Sequence, residues 1–168
     1  MNDATSATST ARTRIVAQPG SHQVTIEREF AAPRELVFRA WTDPDLLVQW
    51  FGPRQYAMTI DRFEVRDGGR WRYVHTDDAG TAHGFHGVFH GDPSPDRGIV
   101  QMLEFEGMPG HVCLESLTFE DRDGRTLVRT ASVFQSVADR DAMIASGMEY
   151  GVNEGYDRLD QLLARLSS

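Results

Sequence analysis

Apolar and polar residues alternate in the segment HQVTIEREF (22–30), where Arg28 is the charged residue on the mostly apolar face. Val24 and Ile26 fall on one face of this segment, and threonine and glutamate residues fall on the other. A period of two residues is typical of a half-buried β-strand. The preceding residues 1–21 carry little apolar surface and are predicted to form a flexible tail. An additional short edge strand at TRIVA (13–17) stays open.

Two short helices are predicted after this strand, in PRELVFRAWTDPDLLVQWFGP (33–53). Proline favours the first position of a helix, so one helix is predicted to open at Pro33 and the second at Pro44. Both are shorter than the ~12–15 residues that an isolated helix needs in water, so packing must hold them. The large aromatic residues available for that packing are Trp41, Trp50 and Phe51. Two interpretations stay open: these rings plug the core, or they line a ligand cavity.

Six more strands are predicted between the helices and residue 134, because short runs of mixed polarity alternate with turns of Asp, Gly and Pro. The runs, in chain order, are AMTIDRFEV, RWRYVHT, HGFHGVFHG, IVQMLEFE, HVCLESLTFE and RTLVRTASVF. This rhythm of strand and tight turn is typical of an antiparallel meander. Together with the first strand, it predicts a seven-stranded antiparallel sheet.

A long amphipathic helix is predicted for the C-terminal region, from about residue 137 to 166. Ser136 and Asp139 have the spacing of a helix-capping box. The apolar positions recur at steps of three and four residues and are Ile144, Met148, Val152, Gly155, Leu159, Leu162 and Leu166. An apolar face of this length needs a partner, and the concave face of the sheet is the surface that the chain offers. These elements predict the α+β fold class.

Gly147, Gly151 and Gly155 repeat at four-residue spacing within this predicted helix. Each costs roughly 0.8–1.0 kcal/mol relative to alanine, so another interaction should offset the cost. One explanation is close packing of the helix backbone against a strand. The other is an empty volume between helix and sheet, lined by the flexible side chains of Met143 and Met148.

Length, charge and cysteine content narrow the class of protein. The 168 residues suit one domain with a real core, and a net charge of −8 argues against nucleic acid as a partner. A single cysteine, Cys113, excludes an intramolecular disulfide and favours the cytoplasm. No run approaches the ~18–20 apolar residues of a membrane span, and the N-terminus lacks the apolar stretch of a secretory signal. The prediction is a cytoplasmic protein without nucleic-acid or membrane partners.

The chemistry-bearing residues form no catalytic motif, so no catalytic residue, metal or cofactor is predicted. His86 and His90 share a strand face while His83 points away, which keeps the three from converging on a zinc ion. Phosphate-binding loops, nucleophile elbows and dinucleotide fingerprints are lacking as well. Arg28 and Glu104 each share a strand face with apolar residues, which makes them candidates for a ligand anchor or an acid–base group. Pairing with other side chains, or exposure to solvent, is the alternative for both.

Five segments of the chain resemble a known family. They are REFAAPRELVFRAWTDPDLLVQWFGP, DGGRWRY, FEGMPGH, TFEDRDGRTLVRTASVF and DRDAMIASGMEYGVNEGYDRLDQLLA. They are similar, in this order, to the single-domain bacterial proteins of the heat-shock protein 90 ATPase activator homologue-like family, within the SRPBCC (START-like) superfamily. Two departures are Ala32, where relatives often carry an acidic cap, and Phe51, where they often carry tryptophan.

The resemblance implies a helix-grip domain over residues 22–168. In this fold an antiparallel sheet wraps around a long C-terminal helix, two short helices lie between strands 1 and 2, and a deep cavity remains between sheet and helix. The leading hypothesis for function is the binding of a hydrophobic or aromatic small molecule in that cavity, without catalysis. The residues predicted to line it are Trp50, Phe51, Met58, Trp71, Tyr73, Phe85, Phe89, Glu104, Met148, Gly151 and Val152.

Two alternative functions stay open, because fold does not determine function. One is a cyclase- or hydrolase-like enzyme that uses Arg28, Glu104 or a histidine such as His75. The other is a stress-related co-chaperone or protein-interaction module. A homodimer is compatible with all three functions.

Overall fold

A computed structural model describes residues 13–168, which form one antiparallel sheet and four helices. The strands are β1 (Arg14–Val16), β2 (Gln23–Phe30), β3 (Ala57–Phe63), β4 (Arg70–Thr76), β5 (Ala82–Phe89), β6 (Ile99–Phe105), β7 (Val112–Arg122) and β8 (Arg125–Phe134). The helices are α1 (Arg34–Thr42), α2 (Pro44–Leu47), α3 (Val137–Ala145) and α4 (Met148–Leu166). The strand order is β1-β2-β8-β7-β6-β5-β4-β3. None of these helices is long and apolar enough to cross a membrane.

The predicted α+β class and helix-grip arrangement are confirmed, but the sheet has eight strands and not seven. The additional strand is β1, which lies within TRIVA and pairs with β2, Ile15 standing opposite Ile26. Because β8 occupies the other edge of β2, β1 covers backbone groups that would otherwise form an open edge. Residues 1–12 of the predicted tail lie outside the described residues.

The core lies between the concave face of the sheet and α4. On β2, every second residue is buried, so Val24, Ile26 and Phe30 point toward the helix. The leucines of α4 that cover this face are Leu159, Leu162 and Leu163. The two-residue and 3.6-residue periods of the sequence therefore identify the buried faces of both elements.

The C-terminal region forms two helices and not the single helix that was predicted. α3 ends at Ala145 and α4 begins at Met148, with Gly147 between them at a φ of 91°. A left-handed backbone conformation suits glycine and ends the first helix. At the other end of α3, the hydroxyl of Ser136 accepts a hydrogen bond from the backbone N–H of Asp139 at 3.0 Å, so this helix begins where the sequence indicates.

Close packing explains Gly155, which is buried on α4. A Cβ atom here would lie 3.3 Å from the backbone nitrogen of Gly52 and 3.4 Å from the carbonyl oxygen of Trp50. At Gly151, a Cβ would be 3.7 Å from its nearest neighbour, which is an ordinary contact. The packing explanation therefore holds at Gly155, whereas Gly147 provides the break between α3 and α4.

Substitutions at Gly151 and Gly155 are expected to change stability in opposite directions. Gly151→Ala should raise the free energy of unfolding by roughly 0.8–1.0 kcal/mol, because helix propensity improves without a clash. Gly155→Leu should lower it by about 1–3 kcal/mol, because the side chain meets the backbone of residues 50–52. Urea unfolding curves measure both changes. Equal stability of Gly155→Leu and the wild type would contradict the packing explanation.

Aromatic packing and hydrogen bonds hold α1 and α2 against the rest of the fold. Trp50 donates its indole N–H to the carbonyl oxygen of Ala40 at 3.0 Å, and its ring meets that of Trp41 edge-on, with centroids 4.6 Å apart. Arg158 of α4 donates two hydrogen bonds of 3.0 Å to carbonyl oxygens in the segment 49–52. Both tryptophans are buried in the core, so these two rings fill the core and do not line a ligand cavity.

Candidate functional site

A partly open cavity of about 410 Å³ lies between the concave face of the sheet and α3. Strands β4 to β8 form its floor, α3 forms one wall, and Tyr56 and the β6–β7 hairpin complete the sides. The apolar residues of its lining include Phe85, Leu103, Phe105, Val112, Phe134 and Met143. The polar residues are His75, His83, His111, Cys113, Asp139 and Ser146. Few polar groups in an apolar surround are typical of a small-molecule site.

The cavity exists because α3 does not pack tightly on the sheet. Within the described part of the chain, α3 buries Arg140 and none of its apolar residues, whereas α4 buries three leucines. Arg140 is anchored at the edge of the sheet by a hydrogen bond to the carbonyl oxygen of Gln18. The turn at Gly147 lets α3 leave the direction of α4, and the space under α3 stays unfilled.

Stacked aromatic rings form the floor of the cavity. The ring of Phe85 stacks on that of Tyr73, which is buried in the core below the floor, at a centroid distance of 5.2 Å. On its other side it meets the ring of Phe105 at 5.1 Å, with 33° between the ring planes. Tyr56 stacks on His75 at 5.8 Å, with 21° between the ring planes. Rings of this kind are rigid and present flat faces, so the floor suits a flat apolar molecule.

Burial keeps His75 neutral at physiological pH. Its pKa falls from 6.5 to about 4, first because burial disfavours the imidazolium and then because His83 and Arg158 add positive charge nearby. Its Nε2 atom is buried and has no hydrogen-bond partner within residues 13–168. The ring lies where a side chain at Gly52 would stand, since a Cβ there would come within 2.6 Å of it.

His111 and Asp139 form a hydrogen-bonded pair at the mouth of the cavity. Nδ1 of His111 lies 2.9 and 3.0 Å from the two carboxylate oxygens of Asp139. The side chain of His111 is 50% exposed and that of Asp139 is 22% exposed. The pair therefore joins the β6–β7 hairpin to the first turn of α3 and stands between the cavity and solvent.

Cys113 also lines the cavity, as a protonated thiol. Burial, and after it the negative charge of Glu115, raises the pKa of Cys113 to about 12. A thiol with so high a pKa is not a nucleophile at neutral pH. Cys113 is therefore a small, largely buried wall residue and not a nucleophile.

One residue of the set predicted to line the cavity, Phe85, lies in its wall. Four others are fully buried in the core: Trp50, Trp71, Tyr73 and Phe89. Four are partly buried and pack against the core: Phe51, Met58, Met148 and Val152. Gly151 lies on α4 next to the ring of Pro53, and Glu104 lies on the opposite face of the sheet. Most of the predicted aromatic surface thus builds the core beside the cavity.

Glu104 belongs to a polar network on the outer face of the sheet. Its carboxylate accepts a hydrogen bond from the backbone N–H of Gly110 at 2.7 Å and lies 2.8 Å from Nε2 of His86. Nδ1 of His86 lies 2.9 Å from Glu106, which also accepts two hydrogen bonds of 2.8 Å from Arg72. Arg72, and after it His86, lowers the pKa of Glu106 to about 2. This network is separate from the cavity.

His83 and His86 point to opposite faces of β5, as strand alternation predicts. His83 lines the cavity, and His86 joins the outer network. Among residues 13–168, no three His, Cys, Asp or Glu side chains are arranged to hold a metal ion.

Some of the cavity residues that were not predicted could have been identified from the alternation of residues along the strands. Phe105 stands opposite Phe85 in the β5–β6 register, and His83 and Leu103 are each two residues from one of them. Because alternate residues of a strand share a face, these positions follow once Phe85 is placed inward. His111 and Asp139 carry no such signal, since 28 positions separate them and only the folded chain joins them.

A comparison with protein families identifies the group to which the chain is related. The profile described as activator of Hsp90 ATPase homolog 1-like protein matches residues 31–164. The chain belongs to this family. The match begins just before α1, includes strands β3 to β8, and ends near the end of α4, so the resemblance seen in the sequence segments is confirmed. A search of curated proteins found no match to this Hsp90 activator-like chain.

Solved structures with the same fold come from several bacteria. A crystal structure of a protein from Rhodobacter sphaeroides is 30% identical, has a TM-score of 0.82, and the match covers 92% of this chain and 99% of that one. A solution NMR structure from Arthrobacter aurescens is 26% identical, with a TM-score of 0.82 and coverage of 90% and 91%. A crystal structure from Mycobacterium smegmatis, 22% identical with a TM-score of 0.81 and coverage of 91% and 96%, shows the fold alone. The Hsp90 activator-like fold thus extends over most of the chain.

Proposed function

We propose that this protein binds a neutral, mostly apolar small molecule in the cavity between the sheet and α3. The observation that carries the proposal is the cavity itself, a volume of about 410 Å³ over a floor of stacked aromatic rings. Ligand sites in proteins typically enclose about 300–1,000 Å³ and combine apolar walls with a few polar groups. The cavity has both properties.

The charges around the cavity favour a neutral ligand. Within the described part of the chain, no arginine lines the cavity, and the sequence contains no lysine at all. An anionic ligand would thus lie near the carboxylate of Asp139 without a permanent cation to balance it. The neutral ring of His75 adds no charge at physiological pH.

The enzyme alternative is less well supported than binding. An enzyme of this kind needs at least two of its candidate residues, Arg28, Glu104 and His75, to converge on one point of the cavity. Arg28 pairs with carboxylates of α4, Glu104 lies in the outer network, and His75 lines the cavity. These three residues therefore belong to three different surroundings.

The co-chaperone role, the homodimer and the cytoplasmic location stay predictions. The family name associates these proteins with activation of the Hsp90 ATPase. On the outer face, apolar residues form a row across four strands: Val88, Met102, Leu114 and Val133. Binding in the cavity is the better-supported function, because volume, apolar walls and polar groups occur there together.

Filling the cavity is expected to weaken binding strongly without unfolding the protein. Ala142 lines the cavity from α3, so the indole of Ala142→Trp would occupy the space of the ligand. The dissociation constant of a neutral fluorescent probe, N-phenyl-1-naphthylamine, should rise about tenfold or more in a fluorescence titration. Ala145→Trp is the matched control, because Ala145 lies on the same helix but is not part of the cavity lining, so binding should stay within about twofold. Equal binding by Ala142→Trp and the wild type would contradict the proposal.

Native mass spectrometry of freshly purified protein tests the same proposal without a chosen probe. The expected result is a mass excess that disappears on denaturation and is identified, after extraction, as a neutral apolar molecule. Recovery of a strongly anionic ligand would contradict the charge argument, because the lining offers it no cationic side chain.

A further inference from the structure

We propose that His111, oriented by Asp139, is a hydrogen-bond acceptor that selects ligands carrying an O–H group at the mouth of the cavity. The ligand class is a neutral aromatic alcohol, with its ring system on the aromatic floor and its hydroxyl toward Nε2 of His111. This inference rests on the proposed function, because it needs a ligand in the cavity.

Backbone hydrogen bonds hold His111 in position on both sides. Before it, the N–H of Gly110 donates to the carboxylate of Glu104 at 2.7 Å. After it, the N–H of Val112 donates to the side-chain oxygen of Gln135 at 2.6 Å. These two anchors fix the backbone at His111, and the hydrogen bond to Asp139 sets the direction of its ring, so little conformational entropy is lost when a ligand binds.

Asp139 is positioned with equal precision by the start of α3. Its backbone N–H donates to the Ser136 hydroxyl, which caps the helix, so its carboxylate is left free for His111. A carboxylate next to Nδ1 holds the imidazole tautomer in which Nδ1 carries the proton. Nε2 is then the lone-pair acceptor, and within residues 13–168 it has no hydrogen-bond partner.

The other polar groups of the cavity are weaker candidates for this role. Nε2 of His75 is buried out of reach of a ligand, and Cys113 is a protonated thiol. His83 lines the cavity without a carboxylate partner among the described residues, so its tautomer is not fixed. His83 therefore serves as the control position.

Two ligands with the same ring system isolate the contribution of the hydroxyl donor. 2-Naphthol carries an O–H donor, and 2-methoxynaphthalene has the same ring system without the donor. By isothermal titration calorimetry, the wild type should bind 2-naphthol about fivefold more tightly, which is the value of one hydrogen bond. His111→Phe should remove this preference and leave 2-methoxynaphthalene within about twofold. His83→Phe should keep the preference, and Asp139→Asn should reduce it.

A spectroscopic signature separates proton acceptance from a purely structural role. 4-Nitrophenol absorbs at longer wavelength as its hydroxyl is polarised or ionised. In a buffer acidic enough to keep the free phenol neutral, binding next to Nε2 of His111 should therefore shift its spectrum to the red. The shift should persist in His83→Phe and disappear in His111→Phe. A preference or red shift that survives His111→Phe would overturn the inference.

The two proposals fail in different ways. If neither naphthalene binds the wild type, the proposed function fails and the inference fails with it. If both bind equally well and Ala142→Trp abolishes both, the cavity binds ligands and only the role of His111 is overturned.

Discussion

Acidification from pH 6.5 to 4 is expected to lower the free energy of unfolding by about 3 kcal/mol through His75, and His75→Phe should remove this loss. The unfolded chain binds a proton at this histidine below pH 6.5, whereas the folded protein does not until about pH 4. Between these values the unfolded state holds more protons, so stability falls as the pH falls. Above pH 6.5 neither the folded nor the unfolded state holds this proton, so His75 causes no loss of stability there.

His75→Phe is a suitable variant because it keeps the aromatic packing. The His75 ring lies among Tyr56, Tyr73 and Phe85, with centroid distances of 5.8, 5.1 and 5.7 Å. Phenylalanine fills a similar volume and removes the buried Nε2 that lacks a partner in the described residues, so the variant should equal or exceed the wild type in stability at pH 7. Urea unfolding at several pH values gives the two stability curves.

Other groups also make stability depend on pH, and the difference between the two curves removes their effects. Burial raises the pKa of Glu115, so its protonation on acidification stabilises the fold and opposes the effect of His75. Glu106, with a smaller effect of Glu104, raises the pKa of His86, whose stabilising contribution is present below pH 6.5 and is lost at higher pH. Both contributions are common to wild type and His75→Phe. Parallel curves would show that His75 is not held neutral by burial.

Replacing Asp157 and Asp160 together by asparagine is expected to lower the free energy of unfolding by about 3 kcal/mol, whereas Arg28→Met should cost about 1 kcal/mol or less. Arg28 is 4% exposed on the concave face and pairs with both carboxylates of α4, at 3.0 Å in the case of Asp157. The carboxylates are 65% and 38% exposed. Removing them leaves a buried cation without a charged partner. Removing the arginine leaves two partly exposed carboxylates, of which Asp160, whose pKa burial already raises, can take up a proton instead.

The asymmetry of the two changes is the result to measure. Asparagine keeps a hydrogen-bond acceptor and has a helix propensity similar to that of aspartate, so the loss of stability reflects mainly the missing charge. The expected loss is therefore at the lower end of the range for breaking a buried ion pair. The triple variant Arg28→Met/Asp157→Asn/Asp160→Asn should recover the stability of Arg28→Met, because no buried charge remains. If Arg28→Met costs more than the double asparagine variant, the cation is not the group that burial penalises.

Local periodicity is the reason that most of the fold was predictable. The alternation around Val24 and Ile26 and the spacing of Leu159 and Leu162 are complete within single segments, and the structure buries those faces. Two details were wrong for the same reason. The three residues of β1 are too few to show a period, and the apolar spacing continues past Gly147, which hides the break between α3 and α4.

The candidate site was predictable only where it follows strand alternation. Phe85 was placed in the cavity from the sequence, and its neighbours on the same face were within reach of the same argument. Trp50 has the same aromatic character as a cavity residue, but the structure buries it against Trp41. Composition does not distinguish a ring that plugs the core from a ring that faces an empty volume, because both are apolar surfaces withdrawn from water.

The sequence by itself determined the α+β class, the order of the helices and strands apart from β1 and the break between α3 and α4, the apolar faces of β2 and α4, and the family. Each of these is encoded in residues close together along the chain. The tertiary structure alone decided where the cavity lies, that His75 is held neutral, and that His111 meets Asp139 across 28 positions. The physical reason is that an unfilled volume and a shifted pKa depend on which distant surfaces approach and how closely, and no local pattern records that distance.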